Sequence, residues 1–197
     1  MKHISIEGMD GVGKTTICNL LQQQLQWSFV EQPLHLLFDE SDNNRTIYKK
    51  IRDEINKNPN RNLSAWFYGL GSLYMYDRYK DTNIITDRHL ASNYAWGGET
   101  CNLDIFSLLL HKIPVPNLTV ILRAQQSTIE KRLLNRNRQD SDLSKTEKTN
   151  YIYQKMEAFC KDFQLPYIII DTDELTPEQI VHQIIACLKE REIIEWN

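Results

Sequence analysis

The sequence predicts an α/β protein in three layers, α/β/α, with a five-stranded parallel sheet at the centre. Two observations predict it. Short apolar runs alternate with longer helical stretches along all 197 residues, the pattern of parallel strands joined by crossover helices. The first of those runs, with Ile4 and Ile6, passes into a glycine-rich turn and then a helical pattern of Ile17, Leu20, Leu21 and Leu25. The length suits one domain with a full core, so residues 1–197 are read as a single domain.

Each element follows in order. Strands are expected at residues 3–7, near 28–31, at 83–87, 118–122 and 167–171. Between the second and third lies a long, mostly helical insertion, residues 34–80. It opens with a charged helix over 45–56 whose modest apolar face is Ile47, Ile51 and Ile55. Asn58-Pro59-Asn60 breaks the chain, and a helix follows with Leu63, Trp66, Phe67, Leu70 and Tyr74 at helical spacing. Helices over 103–112, 126–137, 145–163 and 177–191 complete the layers. The last carries a stripe of Ile180, Ile184 and Leu188 and is expected only to pack on the sheet.

Composition narrows the class of partner. A net charge of -3 leaves no basic field of the kind nucleic-acid binders carry, so no nucleic acid is expected. No apolar run approaches the ~20 residues a membrane span needs, and no secretory signal precedes the first strand pattern. Cys18, Cys101, Cys160 and Cys187 are widely spaced with no C-x-x-C pair, which indicates neither a metal site nor a disulfide framework. They read as reduced core thiols of a cytoplasmic protein.

The chemistry concentrates in two stretches. Gly8-Met9-Asp10-Gly11-Val12-Gly13-Lys14-Thr15-Thr16 fits G-x-x-x-x-G-K-[ST] between a strand and a helix, the context of a P-loop NTPase fold. Its glycines let successive backbone N–H groups aim inward at an anion. Lys14 is expected at the β- and γ-phosphates of a nucleoside triphosphate, and the Thr15 hydroxyl at Mg²⁺. The triphosphate site then comprises Gly8, Asp10, Gly11, Val12, Gly13, Lys14, Thr15 and Thr16.

The third strand ends in Asp87-Arg88-His89-Leu90-Ala91-Ser92-Asn93-Tyr94-Ala95-Trp96. Ligands of such sheets sit outside the carboxyl ends of the strands, which gathers the P-loop, Glu31 and Asp87 around one crevice. Asp87 is placed to hold Mg²⁺ through water, and Arg88 offers a fork for a second phosphate. Past the fourth strand, Arg132, Arg136 and Arg138 stand at short spacing, read as a basic lid over residues 132–142. Of the three, Arg132 fits a solvated helix end best.

Together the P-loop with its Asp10, Asp87-Arg88-His89 and Ser92-Asn93-Tyr94-Ala95 resemble the thymidylate kinase family. The resemblance implies transfer of the γ-phosphoryl group from ATP, with Mg²⁺, to dTMP. It implies Asp10 at the deoxyribose 3′-hydroxyl, Arg88 at the acceptor phosphate, Ser92 and Asn93 in the acceptor pocket and Asn93 facing the base. Tyr74 and Arg78 stand in the family's relation of base-stacking aromatic and base-binding Arg, although Tyr74 equally continues the Leu63, Phe67 and Leu70 stripe. Because Gly11 stands where some relatives carry Arg, the catalytic arginines are expected from the lid, as Arg136 and Arg138. The resemblance also implies a homodimer.

Two departures stand out. Trp96 occupies a position that is usually Tyr or Phe, near the sugar edge. Val30-Glu31-Gln32-Pro33 lacks the Arg that grips the acceptor phosphate after the second strand, which leaves Arg45 or Lys49 as substitutes. The second departure also suits a deoxynucleoside kinase, in which Glu31 would be the base that takes a proton from a neutral 5′-hydroxyl. A nucleotide-dependent switch is the remaining alternative, opposed by the complete set of Lys14, Thr15, Asp87 and Arg88.

Overall fold

A computed structural model describes residues 1–195. Five parallel strands form one sheet: β1 (His3–Glu7), β2 (Ser28–Glu31), β3 (Ile84–Asp87), β4 (Leu118–Arg123) and β5 (Tyr167–Asp171), in the order β2-β3-β1-β4-β5. All five residues of β1 are buried, as expected of a central strand covered on both faces. Ile4, Ile6, Ile84, Ile85, Leu118 and Val120 form the middle of the core. The strand order runs outward from β1 to both sides, so the crevice of the switch point opens at the carboxyl end of β1. Register brings the acidic ends together, Ile6 opposite Asp87 and Glu31 opposite Asp87.

Helices flank the sheet in two groups. In one, α1 (Lys14–Leu25) packs on α9 (Pro177–Glu190), whose first turn is closed by a capping box of Thr176 and Gln179. In the other, α4 (Arg61–Arg78) packs on α5 (Leu90–Gly97) and α5 on α8 (Thr149–Asp162). The insertion before β3 also holds α2 (Leu34–Phe38) and α3 (Thr46–Lys57). Asp39 caps α3, its carboxylate accepting from the backbone of Ile47 at 2.9 Å and Tyr48 at 3.3 Å. Helices α6 (Leu103–Lys112) and α7 (Gln126–Arg136) complete the set.

Three expectations need correction. First, α4 turns its large apolar residues outward: Leu63, Trp66, Leu70 and Leu73 are 41–50% exposed. Its buried face is Ser64, Ala65, Gly69, Gly71, Ser72, Met75 and Tyr76. Small residues are needed there because the helices approach closely; a Cβ on Gly69 would lie 2.7 Å from Leu109. Second, the helix expected over 145–163 is two elements, a 3₁₀ turn at Ser141–Lys148 followed by α8. Thr146 bends that turn inward, its hydroxyl donating to the Leu143 carbonyl and to Glu130, each at 2.9 Å. Third, only Cys18 and Cys160 are core thiols; Cys101 is exposed and Cys187 half-buried, all of them free. Helix α5 was not anticipated at all. Among the described residues no helix is long and apolar enough to cross a membrane.

A buried polar knot supports β3 just behind the site. His3 shares hydrogen bonds with the Tyr76 hydroxyl at 2.6 Å and the Thr86 hydroxyl at 2.9 Å, and His89 packs edge-on against His3 and Tyr76. Burial pushes His89 down to about 3 from its ordinary 6.5, so it is neutral when folded. An unfolded chain takes up the proton first, so this stability is complete above 6.5 and is lost as pH falls toward 3. Acidification from pH 7.5 to 5 is expected to cost about 2 kcal/mol through this one residue. His89→Phe should lose less over the same range, as denaturant unfolding at the two pH values would measure.

Candidate active site

The P-loop bridges β1 and α1, and its geometry depends on glycine, most sharply at Gly8 and Gly13. Gly8 has φ 141°, and a Cβ there would sit 2.5 Å from the Leu122 carbonyl oxygen. Gly13 caps α1 with open space around it but φ 106°, a conformation that penalises any side chain. The loop therefore wraps a cleft at the carboxyl end of the sheet, about 430 Å³ in volume. Asp10, Gly11, Gly13, Lys14, Thr15, Thr16, Glu31, Gln32, Asp87, Arg88, Arg132 and Arg136 line it.

Lys14 is buried and donates to the Met9 carbonyl at 2.9 Å, with Asp10 at 4.0 Å and Asp87 at 3.9 Å. Burial lowers its affinity for a proton, and the charge of Arg88 lowers it further, while Asp87 and Asp10 oppose both. The Thr15 hydroxyl donates to Asp87 at 2.9 Å, so two hard oxygen donors meet at the cleft floor. That donor set suits Mg²⁺, which takes one or two protein oxygens and completes its shell with phosphate and water. Among the described residues no cluster of three or more His, Cys, Asp or Glu competes as a metal site.

Arg88 holds a left-handed backbone, φ 77°, which costs a non-glycine residue energy and concentrates at functional sites. Its N–H donates to the Ile6 carbonyl at 3.0 Å, and its guanidinium to Asp10 at 2.7 Å and the Ser92 hydroxyl at 3.3 Å. Burial would raise the Asp10 carboxyl, but the charges of Arg88, Lys14 and Lys145 outweigh it and hold it well below the usual carboxylate range.

Beneath Arg88 lies an acid that sequence reasoning missed. Glu7 is fully buried and accepts from Ser5 at 2.5 Å, from the Ser92 backbone at 3.2 Å and from the Ser92 hydroxyl. Burial pushes its carboxyl up, against those hydrogen bonds and the Arg88 charge. Ser92 is thereby committed to Glu7 and Arg88. Its neighbour Asn93 donates to the Ala65 carbonyl at 3.1 Å and leaves its Oδ1 buried without a partner.

The remaining expected residues divide. Glu31 lines the cleft and receives Arg45 at 2.8 Å, with Gln32 sharing that guanidinium at 3.2 Å. Tyr74 and Arg78 meet each other at 3.3 Å, and Arg78 pairs with Glu40 outside the cleft. Tyr74 also lies nine residues, about 13 Å of helix, beyond the Ala65 carbonyl that Asn93 touches. Trp96 is half-buried, 5.9 Å from the Lys145 ammonium. Gly8 and Val12 shape the loop without lining the cleft.

The arginines after β4 behave differently from one another. Arg132 is no solvated helix end: it donates to the Val12 carbonyl at 3.1 Å and to the Thr172 hydroxyl and carbonyl at 3.1 and 2.7 Å. Arg136 lines the cleft while paired to Asp140 and Asp142. Arg138 is exposed and makes no hydrogen bond or ion pair among the described residues. Arg132→Ala leaves backbone acceptors without partners, at a cost of about 1–3 kcal/mol. It is expected to lower the melting temperature and weaken ATP binding together; an unchanged melting curve would remove the brace.

A thymidylate kinase family model matches residues 6–185. Thymidylate kinase of Mycoplasma capricolum is 25% identical over 95% of this chain and 94% of its own. Thymidylate kinase from Candida albicans superposes with a TM-score of 0.69 at 16% identity, covering 97% of this chain and 92% of that one. Deoxyadenosine kinase from M. mycoides with bound dATP superposes with a TM-score of 0.65 at 19% identity, over 94% and 98%. The family match spans most of the chain, from the end of β1 into α9, so this chain belongs to the thymidylate kinase family of nucleotide kinases.

Proposed function

We propose that this kinase transfers the γ-phosphoryl group of ATP to a pyrimidine deoxynucleoside monophosphate, dTMP, to give dTDP. The observation that carries this reading is Arg88. It stands 2.7 Å from Asp10 while Lys14 stands 4.0 Å from that same carboxylate, so two cationic phosphate seats face each other across one acid. An attacking phosphate oxygen is already anionic near neutral pH and asks for no general base. It asks for two phosphates held in line and their charge neutralised. Lys14 and the P-loop amides hold the donor, and Arg88 orients the acceptor. Arg136 and Arg138, on a lid over residues 132–142, cover the transferring group once Arg136 leaves Asp140 and Asp142. Mg²⁺, held by Thr15 and by Asp87 through water, would supply further neutralisation of the β- and γ-phosphates.

Acceptor recognition falls to the helical insertion, residues 34–80, and to α5. The orphaned Asn93 Oδ1 is a buried acceptor able to take an N–H of the base. The flat face beside it is better offered by the Phe67–Tyr68 turn of α4, next to Ala65, than by the distant Tyr74. Wild-type protein with ATP is expected to turn over dTMP, more slowly dUMP, and not thymidine or deoxycytidine. Arg88→Ala should lose about 10²–10³-fold or more in turnover while its Kd for ATP stays near wild type. Unimpaired turnover in that variant would end the role given to Arg88.

A second reading has its own observation. The end of β2 presents Glu31 and Gln32 to the cleft, and a carboxylate there suits deprotonation of a nucleoside 5′-hydroxyl. Turnover of nucleosides but not monophosphates in the same assay would favour it.

The outward stripe of α4 (Leu63, Trp66, Leu70 and Leu73) supports a homodimer formed through that helix. Sedimentation is expected to give a dimer for the wild type and a monomer for Leu70→Glu. A wild-type monomer at micromolar concentration would overturn the assignment.

A further inference from the structure

A third cation converges on Asp10 from a part of the chain that no motif marks. Lys145, in the 3₁₀ turn after α7, places its ammonium 3.6 Å from Asp10 Oδ2, while Arg88 holds Oδ1 of the same carboxylate at 2.7 Å. The two cations bracket one acid, one on each oxygen. The backbone beneath Lys145 is fixed, since Thr146 is buried and tied to Glu130 and the Leu143 carbonyl. The ammonium itself is held by Asp142 at 2.6 Å, with the Trp96 ring 5.9 Å away, and its side chain remains 45% exposed. It is anchored at its root and free to shift at its tip.

The acceptor side of the cleft is short of positive charge. A monophosphate carries close to two negative charges near neutral pH, and Arg88 supplies one cation. The end of β2 offers Glu31 and Gln32, and the nearest guanidinium there, Arg45, is already bound to both. Lys14 belongs to the P-loop and donates to Met9. Lys145, although paired to Asp142, is the cation from outside the P-loop that shares Asp10 with Arg88, which puts it beside Arg88 where an acceptor phosphate can recruit it.

We propose that Lys145 is a substrate-binding residue that grips the acceptor phosphate opposite Arg88. The inference rests on the monophosphate reading above. Asp10 holds both cations in place before the acceptor arrives, and the phosphate then shares them. Because Lys145 sits in the turn that follows the lid, acceptor binding and lid position are joined through one side chain.

The test compares wild type, Lys145→Met and Lys145→Arg in steady-state turnover with dTMP and ATP, and in calorimetric titration with dTMP alone. Loss of one charge-assisted contact is expected to raise the KM and the Kd for dTMP about 10- to 100-fold in Lys145→Met. The KM for ATP should move little, and Lys145→Arg should recover most of the loss. An unchanged dTMP constant in Lys145→Met, or an equal loss for ATP and dTMP with a lowered melting temperature and no recovery by Arg, would overturn the assignment and leave Lys145 a structural tie. Wild-type turnover confined to nucleosides would overturn the monophosphate reading, and this inference with it.

Discussion

The cleft gathers cations from three parts of the chain, and charges of one sign must be held in position to stay so close. Asp10 does most of that holding. Lys14, Arg88 and Lys145 come from the P-loop, the end of β3 and the turn before α8, and all three lie within 4.0 Å of its carboxylate. Without an internal acid, cations this close would repel one another and swing into solvent. The same logic repeats around the rim, where Glu31 holds Arg45 and Asp140 with Asp142 holds Arg136. The site is preorganised, and the organising charge is negative.

Beneath that layer the fold supplies rigidity. Register places Glu31 and Ile6 on either side of Asp87, so the acidic rim is a direct result of strand pairing. Glu7 then ties β1 to Ser92 at the start of α5, and Arg88 between them has little freedom. Its left-handed backbone persists because the Ile6 carbonyl, Asp10 and Ser92 all hold it. The geometry around Arg88 is therefore carried by Glu7, Asp10 and backbone bonds, while Lys145, Arg136 and Arg138 lie on the exposed side, where movement costs little.

Much of this was legible in the sequence, for physical reasons that also explain the failures. Strands of a parallel sheet show as short apolar-rich runs between helical stretches, and β1, β2 and β5 begin and end where such runs are read. The P-loop motif is local in sequence, so Lys14 and Thr15 could be expected at the start of α1 from the spacing of the motif alone. Helix α5 escaped because it is buried on several sides and shows no amphipathic period. Helix α4 misled because large residues at helical spacing are ordinarily the inward face, and here close packing on Leu109 demands Gly and Ala instead. Lys145 and Glu7 left no local signal: one meets the site from across 135 positions of chain, the other is a lone acid in a strand. Arg132 was visible but misread, because nothing in a helix pattern reveals the Val12 carbonyl behind it.

The pairing of β1 bears on how the chain folds as it is made. This strand precedes the other four and is buried along its whole length, yet both of its neighbours come late: β3 begins at Ile84 and β4 at Leu118. At the ~5–20 residues per second of protein synthesis, β1 waits several seconds for β3 and longer for β4. Through that interval its isoleucines have no strand to pair with, since β2, the one strand between them, does not touch β1 in the finished sheet. The helical insertion that separates β2 from β3 lengthens that delay, so the central pairings of the sheet are also its most non-local ones.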